Sequence, residues 1–285
     1  MIAIRHLLLA AIGGLVAVTT PAVRAAPAPN AAQPLAIGET FTLESKVLAE
    51  TRRINVYLPP GYAKSDTKLP VLYMPDGGLA EDFLHVAGLV QVSVGNETMR
   101  PFILVGIENT ERRRDMTGPT DNAKDKTIAP RVGGASQFRK FIRDELMPEV
   151  NKRYRTTDES AIVGESLAGL FVVETFFLEP DLFDIYIAID PSLWWNDHKL
   201  VDGAATSLYA RPRLAKSLFL ASSSEFIGDV DQTKTLAEIL KADAPPGMKW
   251  HYEAMPQEKH ATIYHPAALK AFRLMLAPTT QPAAN

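Results

Sequence analysis

The stretch that most constrains this chain is AIVGESLAGLFVVE, residues 161–174. Ala161, Ile162 and Val163 form an apolar run with the length and branching of a short buried strand. Leu170, Phe171, Val172 and Val173 supply an apolar turn of a helix. Between them, Gly164, Ala168 and Gly169 are small where a strand has to reverse into a helix. A turn that tight tolerates little side-chain bulk, so the stretch reads as a strand, a sharp corner and a helix folded back on the strand.

The rest of the chain repeats that alternation. FTLES and RRINVYLPP read as two antiparallel strands, and PVLYMPDGG and PFILVGIEN as apolar strands separated by a helix over 81–92. Phe138, Phe141, Ile142 and Leu146 recur at helical spacing, which predicts an amphipathic helix over 136–154, bent at Pro148. IYIAID, SLFLAS and MKWHYEAM are later strands, with helices over 231–241 and 266–276. Apolar strands alternating with helices require an α/β fold: a mostly parallel central sheet with helices on both faces. The segment from Asn109 to Gly134 is a long polar loop rich in Arg, Lys and Asp, of a length that is usually functional or mobile.

Both ends differ in composition from this body. Arg5 and His6 precede an apolar run from Leu7 to Val18, and Val23-Arg24-Ala25 offers small residues at cleavage spacing. Residues 1–25 therefore read as a signal peptide, 26–36 as a flexible lead-in, 37–278 as one domain and 279–285 as a flexible tail. A periplasmic or secreted protein with no stable membrane association is expected, and losing Arg5 and Arg24 would move the net charge from −3 to −5. An acidic balance gives no case for nucleic acid. With no cysteine, disulfides, thiolate catalysis and cysteine zinc sites are excluded, and neither cofactor nor metal is expected.

Within G-E-S-L-A-G, the corner places Ser166 two residues after Gly164 and two before Ala168. A serine so placed is lifted clear of the sheet at a helix N-terminus, which is the geometry of a nucleophile elbow. The competing reading is a helix N-cap serine. A serine nucleophile needs a base, and His260, in KHATIYHP between the last strand and the last helix, is preferred over His265, which abuts Pro266. The acid is expected after SLFLAS, where Glu225 comes first, ahead of Asp229 and Asp231. The backbone N–H of Leu167, with those of Gly77 and Gly78 after the strand VLYMP, is expected to face the oxyanion.

These residues carry a family resemblance. VYLPPGY, PVLYMPDGG, VGIENTERRRDMTGPT, FRKFIRDELMPEVNKRYR, VGESLAGLFVVE, IDPSLWW and KHATIY together resemble the putative-esterase family of α/β-hydrolases, over nearly all the chain after residue 25. That family includes enterochelin and related siderophore esterases, S-formylglutathione hydrolases and mycolyltransferase-like proteins. The resemblance implies an α/β-hydrolase fold and a secreted serine esterase acting on a small-molecule ester, with Ser166 as nucleophile, His260 as base and Glu225 as acid. Some members of the siderophore branch work with a Ser/His dyad. The chain departs from the family at Glu165, where histidine is common, at Ala168 and at Gly118. Glu165 sets a negative charge beside the nucleophile, which disfavours anionic substrates.

For substrate contacts, the sequence offers Arg114 within the basic run Arg112, Arg113, Arg114, Lys124, Lys126 and Arg131, and the pair Trp194 and Trp195. The bland alternative has Arg114 pairing with Asp115 to hold the loop, and at least one tryptophan buried beneath the site. Acyl transfer at the same site, or an inactive hydrolase fold kept for binding, are the alternative functions.

Overall fold

Eight strands form one sheet: β1 (Glu39–Ser45), β2 (Glu50–Tyr57), β3 (Leu69–Pro75), β4 (Ile103–Ile107), β5 (Thr156–Glu165), β6 (Ile185–Ile189), β7 (Ser217–Ser222) and β8 (Lys249–Ala254). Their spatial order is β1-β2-β4-β3-β5-β6-β7-β8. The pairs β1–β2 and β2–β4 are antiparallel, and all pairs from β4 through β8 are parallel. This computed structural model describes residues 35–278 together with residue 32. The expected signal peptide, most of the lead-in and the tail lie outside the described residues. Residues 37–278 form one compact unit.

The connections are α1 (Phe83–Gly95), α2 (Arg112–Asp115), α3 (Ala135–Phe141), α4 (Met147–Arg153), α5 (Leu167–Leu178), α6 (Lys199–Asp202), α7 (Ala204–Tyr209), α8 (Gln232–Asp243) and α9 (Tyr264–Met275). The period of two along β3 shows how the sheet divides the core. Val71 and Tyr73 pack with Phe138, Phe141 and Phe171 on one face, and Leu72 and Met74 with Phe83, Val90 and Phe272 on the other. Each such side chain contributes about 1.5–3 kcal/mol on full burial. Helix α5 is buried nearly all round, which explains why its sequence lacks a polar face.

The expected helix over 136–154 is not simply bent at Pro148. Between α3 and α4 the backbone widens into a π turn, Ile142–Leu146, and the Met147 N–H reaches back to the Ile142 carbonyl. Pro148 then lies in the first turn of α4, where its missing N–H costs little.

The loop after β4 is tied to the sheet by charge. Arg52 on β2 is fully buried, over the Phe138 ring at 5.3 Å, and meets both Asp115 and Glu50, the latter at 2.7 Å. Arg114 lies 2.8 Å from Glu50 and 2.6 Å from Asp115. Burial pushes the Glu50 carboxyl up, but hydrogen bonds from Arg114 and Thr110 and the charge of Arg52 outweigh it and hold the group at about 2. Gly118, one of the family departures, has a packing reason: a Cβ there would lie 2.3 Å from Glu174 Oε2. Asp115→Ala leaves the buried Arg52 guanidinium with Glu50 as its one carboxylate and the Glu108 carbonyl as a weaker acceptor. The expected loss is about 3 kcal/mol, the low end for a broken buried pair, read as a lower urea midpoint at unchanged slope.

Candidate active site

The corner between β5 and α5 is held in a conformation that only tight constraint permits. Ser166 has φ 60° and ψ −121°, outside the regions that L-residues favour. Its N–H donates to the Ile189 carbonyl at 3.1 Å, and its own carbonyl accepts from Ser192 N–H at 3.0 Å. The neighbouring small residues are required by contact. A Cβ on Gly164 would lie 2.6 Å from the Ala168 carbonyl carbon, and one on Gly169 would lie 3.0 Å from the Ile189 oxygen. Ala168, where the motif usually has glycine, is accommodated because Gly164 opposite it has no side chain. The Ser166 hydroxyl makes no capping bond to α5, so the N-cap reading does not hold.

That hydroxyl faces His260 instead. Ser166 Oγ lies 3.0 Å from His260 Nε2, and His260 Nδ1 lies 2.7 Å from Asp190 Oδ2. The carboxylate on the imidazole is thus Asp190, not the expected Glu225, and neither Asp229 nor Asp231 takes the place. Glu225 is exposed, and its Oε2 accepts the main-chain N–H of His260 at 3.1 Å, so it holds the loop and not the ring. Asp231 caps α8, accepting from Thr233 and Lys234 N–H. The reason lies in strand order. β6 is the immediate neighbour of β5, with Ile189 in register with Glu165, so the next residues, Asp190 and Ser166, emerge side by side. The end of β7 is a further strand away, about 4.8 Å more. Asp190 is buried and fixed by Ser223, whose N–H and hydroxyl each donate to it at 2.8 Å. The visible signal was IYIAID itself: an acid directly after a fully apolar strand.

His265 belongs elsewhere. It stacks on His85 with ring centroids 5.0 Å apart. Of the expected oxyanion donors, Leu167 opens α5, where the first N–H groups have no carbonyl behind them in the helix. The two glycines are already committed. Gly77 N–H donates to Ile107 O at 3.0 Å, and Gly78 N–H to Glu81 Oε2 at 2.6 Å. Gly77 is glycine because a Cβ would run into β4, 2.2 Å from Ile107 N.

A cavity of about 520 Å³ opens over the serine, in the range of small-molecule sites. Arg112, Arg113, Ile128, Trp194, Phe226, Ile227 and Val230 line it beside Ser166 and His260. Arg114 and Trp195, both expected as substrate contacts, do not. Arg114 is spent on Glu50 and Asp115, and buried Trp195 donates its Nε1–H to Gly118 O at 2.9 Å, pinning the loop. Arg112 reaches the cavity while gripping Asp76 through Nε and Nη2 at 2.7 and 2.8 Å.

The charges around the imidazole favour its protonated form. The hydrogen bond to Asp190 raises the His260 pKa against burial, aided by the charges of Glu165, Asp190 and Glu225. Burial pushes the Glu165 carboxyl up to about 7 and that of Asp82 up to about 6. An imidazole so placed can take the hydroxyl proton from Ser166 and return it to a departing group. Among the described residues, no group of three or more His, Asp or Glu side chains is spaced to hold a metal ion.

Comparison with known proteins agrees with this architecture. An IroE-like serine hydrolase from Shewanella oneidensis superposes with a TM-score of 0.73 at 31% identity, over 84% of this chain and 80% of that one. The BES protein from Bacillus cereus, at 22% identity, shares the fold with a TM-score of 0.76 over 88% of this chain and all of that one. The ferri-bacillibactin esterase BesA of Bacillus subtilis (strain 168) is 32% identical over 168 residues, which are 52% of this chain and 56% of that protein. The chain thus spans little more than half the length of that curated relative. The family described as "Putative esterase" matches residues 45–265, most of the chain, and with the strand order of an α/β-hydrolase around it, the protein belongs to that family.

Proposed function

We propose that the protein is a serine esterase that cleaves a small carboxylic ester of the siderophore kind through an acyl-enzyme. The observation that carries this reading is the unbroken run Ser166 Oγ, His260 Nε2, His260 Nδ1, Asp190 Oδ2, with steps of 3.0 and 2.7 Å on either side of the ring. Asp190 fixes the tautomer with the proton on Nδ1, leaving Nε2 free to accept. Ser166 Oγ attacks the ester carbonyl as its proton passes to Nε2, and Leu167 N–H faces the oxyanion. The imidazolium then protonates the leaving alcohol, and water repeats the sequence to release the acid.

The siderophore assignment draws on BesA, named for ferri-bacillibactin, and on two features of the cavity. Arg113 gives it a cationic edge, and Trp194, Phe226 and Ile227 an apolar wall. A bulky ester with aromatic and anionic parts fits both. Export to the periplasm or medium, with cleavage near Ala25, is part of the same reading and rests on the N-terminal sequence.

The test is initial-rate hydrolysis of p-nitrophenyl acetate and of a catecholate siderophore lactone, with and without ferric ion. Turnover of neither ester overturns the proposal. Ser166→Ala is expected to lower turnover on the order of 10⁴-fold or more with the fold intact. Asp190→Asn is expected to cost on the order of 10³–10⁴-fold, while Glu225→Gln stays within about tenfold of the parent. The rate should fall as pH drops through the His260 pKa, because the imidazolium cannot accept the serine proton. Asp190 raises that pKa, so Asp190→Asn should also move the acidic limb to lower pH, and Glu225→Gln should move it far less.

A further inference from the structure

The His260 ring has a carboxylate at each nitrogen, and the proposed mechanism uses only one. Asp190 serves Nδ1, while Glu165 Oε1 lies 3.5 Å from Nε2, the same nitrogen that faces Ser166. We propose that Glu165 is a positioning residue for hydrolysis: its carboxylate holds the charged His260 imidazole from the substrate side of the ring and so sets the pH range in which the site works. The inference rests on the esterase reading above and adds to it a residue at which the chain departs from its family.

Glu165 is well placed to do this and little else. It is the last residue of β5, so its main chain is fixed by the sheet, paired with Ile189. Its side chain is only 15% exposed, and among the described residues the ring of His260 is the one basic group within 4 Å of it. Arg112 acts on it only at longer range, because that guanidinium is bound through two nitrogens to Asp76. Asp190 and Asp82 face Glu165 with like charge, and half-buried Tyr264 stands in the same field. His260 is faced by Asp190, Glu165 and Glu225.

The proton balance defines the role. On attack, the Oγ–H electron pair forms the new Oγ–C bond and the proton moves to Nε2, while the carbonyl π pair moves to oxygen. The Nε2–H formed there points into the space shared by Ser166 Oγ, the leaving oxygen and Glu165 Oε1. Ionised Glu165 stabilises this imidazolium without taking its proton. When the carbonyl re-forms and the ester C–O bond breaks, the leaving oxygen keeps that bond pair and takes the proton from Nε2. Glu165 ends as it began. Protonated Glu165 acts in the opposite sense, since its hydroxyl can donate to Nε2 and compete with Ser166. Burial brings the Glu165 carboxyl to about 7, and the His260 pKa is raised, so the two groups titrate as a pair.

The sign follows. A negative charge beside the ring favours the imidazolium, so removing it lowers the His260 pKa and carries the acidic limb to lower pH. Glu165→Gln, near-isosteric, is expected to move the limb for p-nitrophenyl acetate hydrolysis down by about half a pH unit or more. Plateau turnover should fall severalfold. Glu165→His, the residue common here in the family, is a second variant that cannot carry negative charge, and it should shift the limb in the same direction. The His260 ring-proton titration, followed by NMR in the full chain carrying Ser166→Ala with and without Glu165→Gln, reads the same shift without turnover. An inactive parent would therefore overturn the esterase reading and leave this test standing. Profiles and titrations that superpose on the parent in folded variants overturn the role of Glu165.

Discussion

The backbone of Ser166, held at φ 60° and ψ −121°, is the constraint around which the site is assembled. A non-glycine residue in such a conformation costs on the order of 1–3 kcal/mol and persists only when its surroundings over-determine it. Here the surroundings are the end of β6 and the segment after it. Ile189 O receives the Ser166 N–H, and Ser192 N–H returns to the Ser166 carbonyl. Asp190 lies between those two partners. The contacts that pay for the strain therefore also fix the carboxylate that orients His260. Gly169 lets α5 come down on Ile189 and Pro191, so strand, helix and corner share one contact surface.

Most of this frame is written locally in the sequence. β3, β6, β7 and the second half of β5 are short apolar runs, and their alternation with helices points to a parallel sheet before any tertiary information is used. Ser166 and its small neighbours are legible for the same reason, since the corner's sterics involve residues within a few positions of each other. His260 follows from chain order. What chain order does not carry is which strand end lies beside the serine. The acid was expected after β7, and Glu225 does stand there, within reach of the His260 main chain. Pairing between β5 and β6 is a long-range property, and it decides in favour of Asp190. The glycines after β3 mislead in a related way. They look like oxyanion donors, but their lack of side chains answers to the approach of β4 and to the turn closed by Glu81.

The basic loop shows how local charge counting divides into different roles once packing is known. Arg112, Arg113 and Arg114 are consecutive on α2, so they point in different directions around one short turn. Arg114 turns inward to Glu50 and Asp115, joining the buried charge of Arg52. Arg112 bridges from the loop to Asp76 after β3. Arg113 lines the cavity, and among the described residues no carboxylate lies within 4 Å of it. Two of the three arginines therefore give up their charge to hold the loop in place, and the third keeps its own for the cavity mouth. The tryptophans divide in the same way, Trp194 lining the cavity and Trp195 pinning Gly118 from beneath.

These assignments explain how an acidic protein presents a site with mixed character. Asp76, Glu81, Asp82, Glu165 and Asp190 crowd the ends of β3, β5 and β6 around the serine, and undiluted they would repel any anionic ester. Arg112 offsets part of that charge at Asp76, His260 offsets part at Glu165 and Asp190, and burial pushes the Glu165 carboxyl up to about 7, so that it is only partly ionised at neutral pH. The field at the cavity then depends on which protons are bound, and raising the pH through the range of Glu165 makes the surroundings of His260 more negative. Substrate charge and pH are thereby coupled through the same few carboxylates. The chain's departure from its family at position 165 places that coupling one residue from the nucleophile, where a histidine could carry no negative charge.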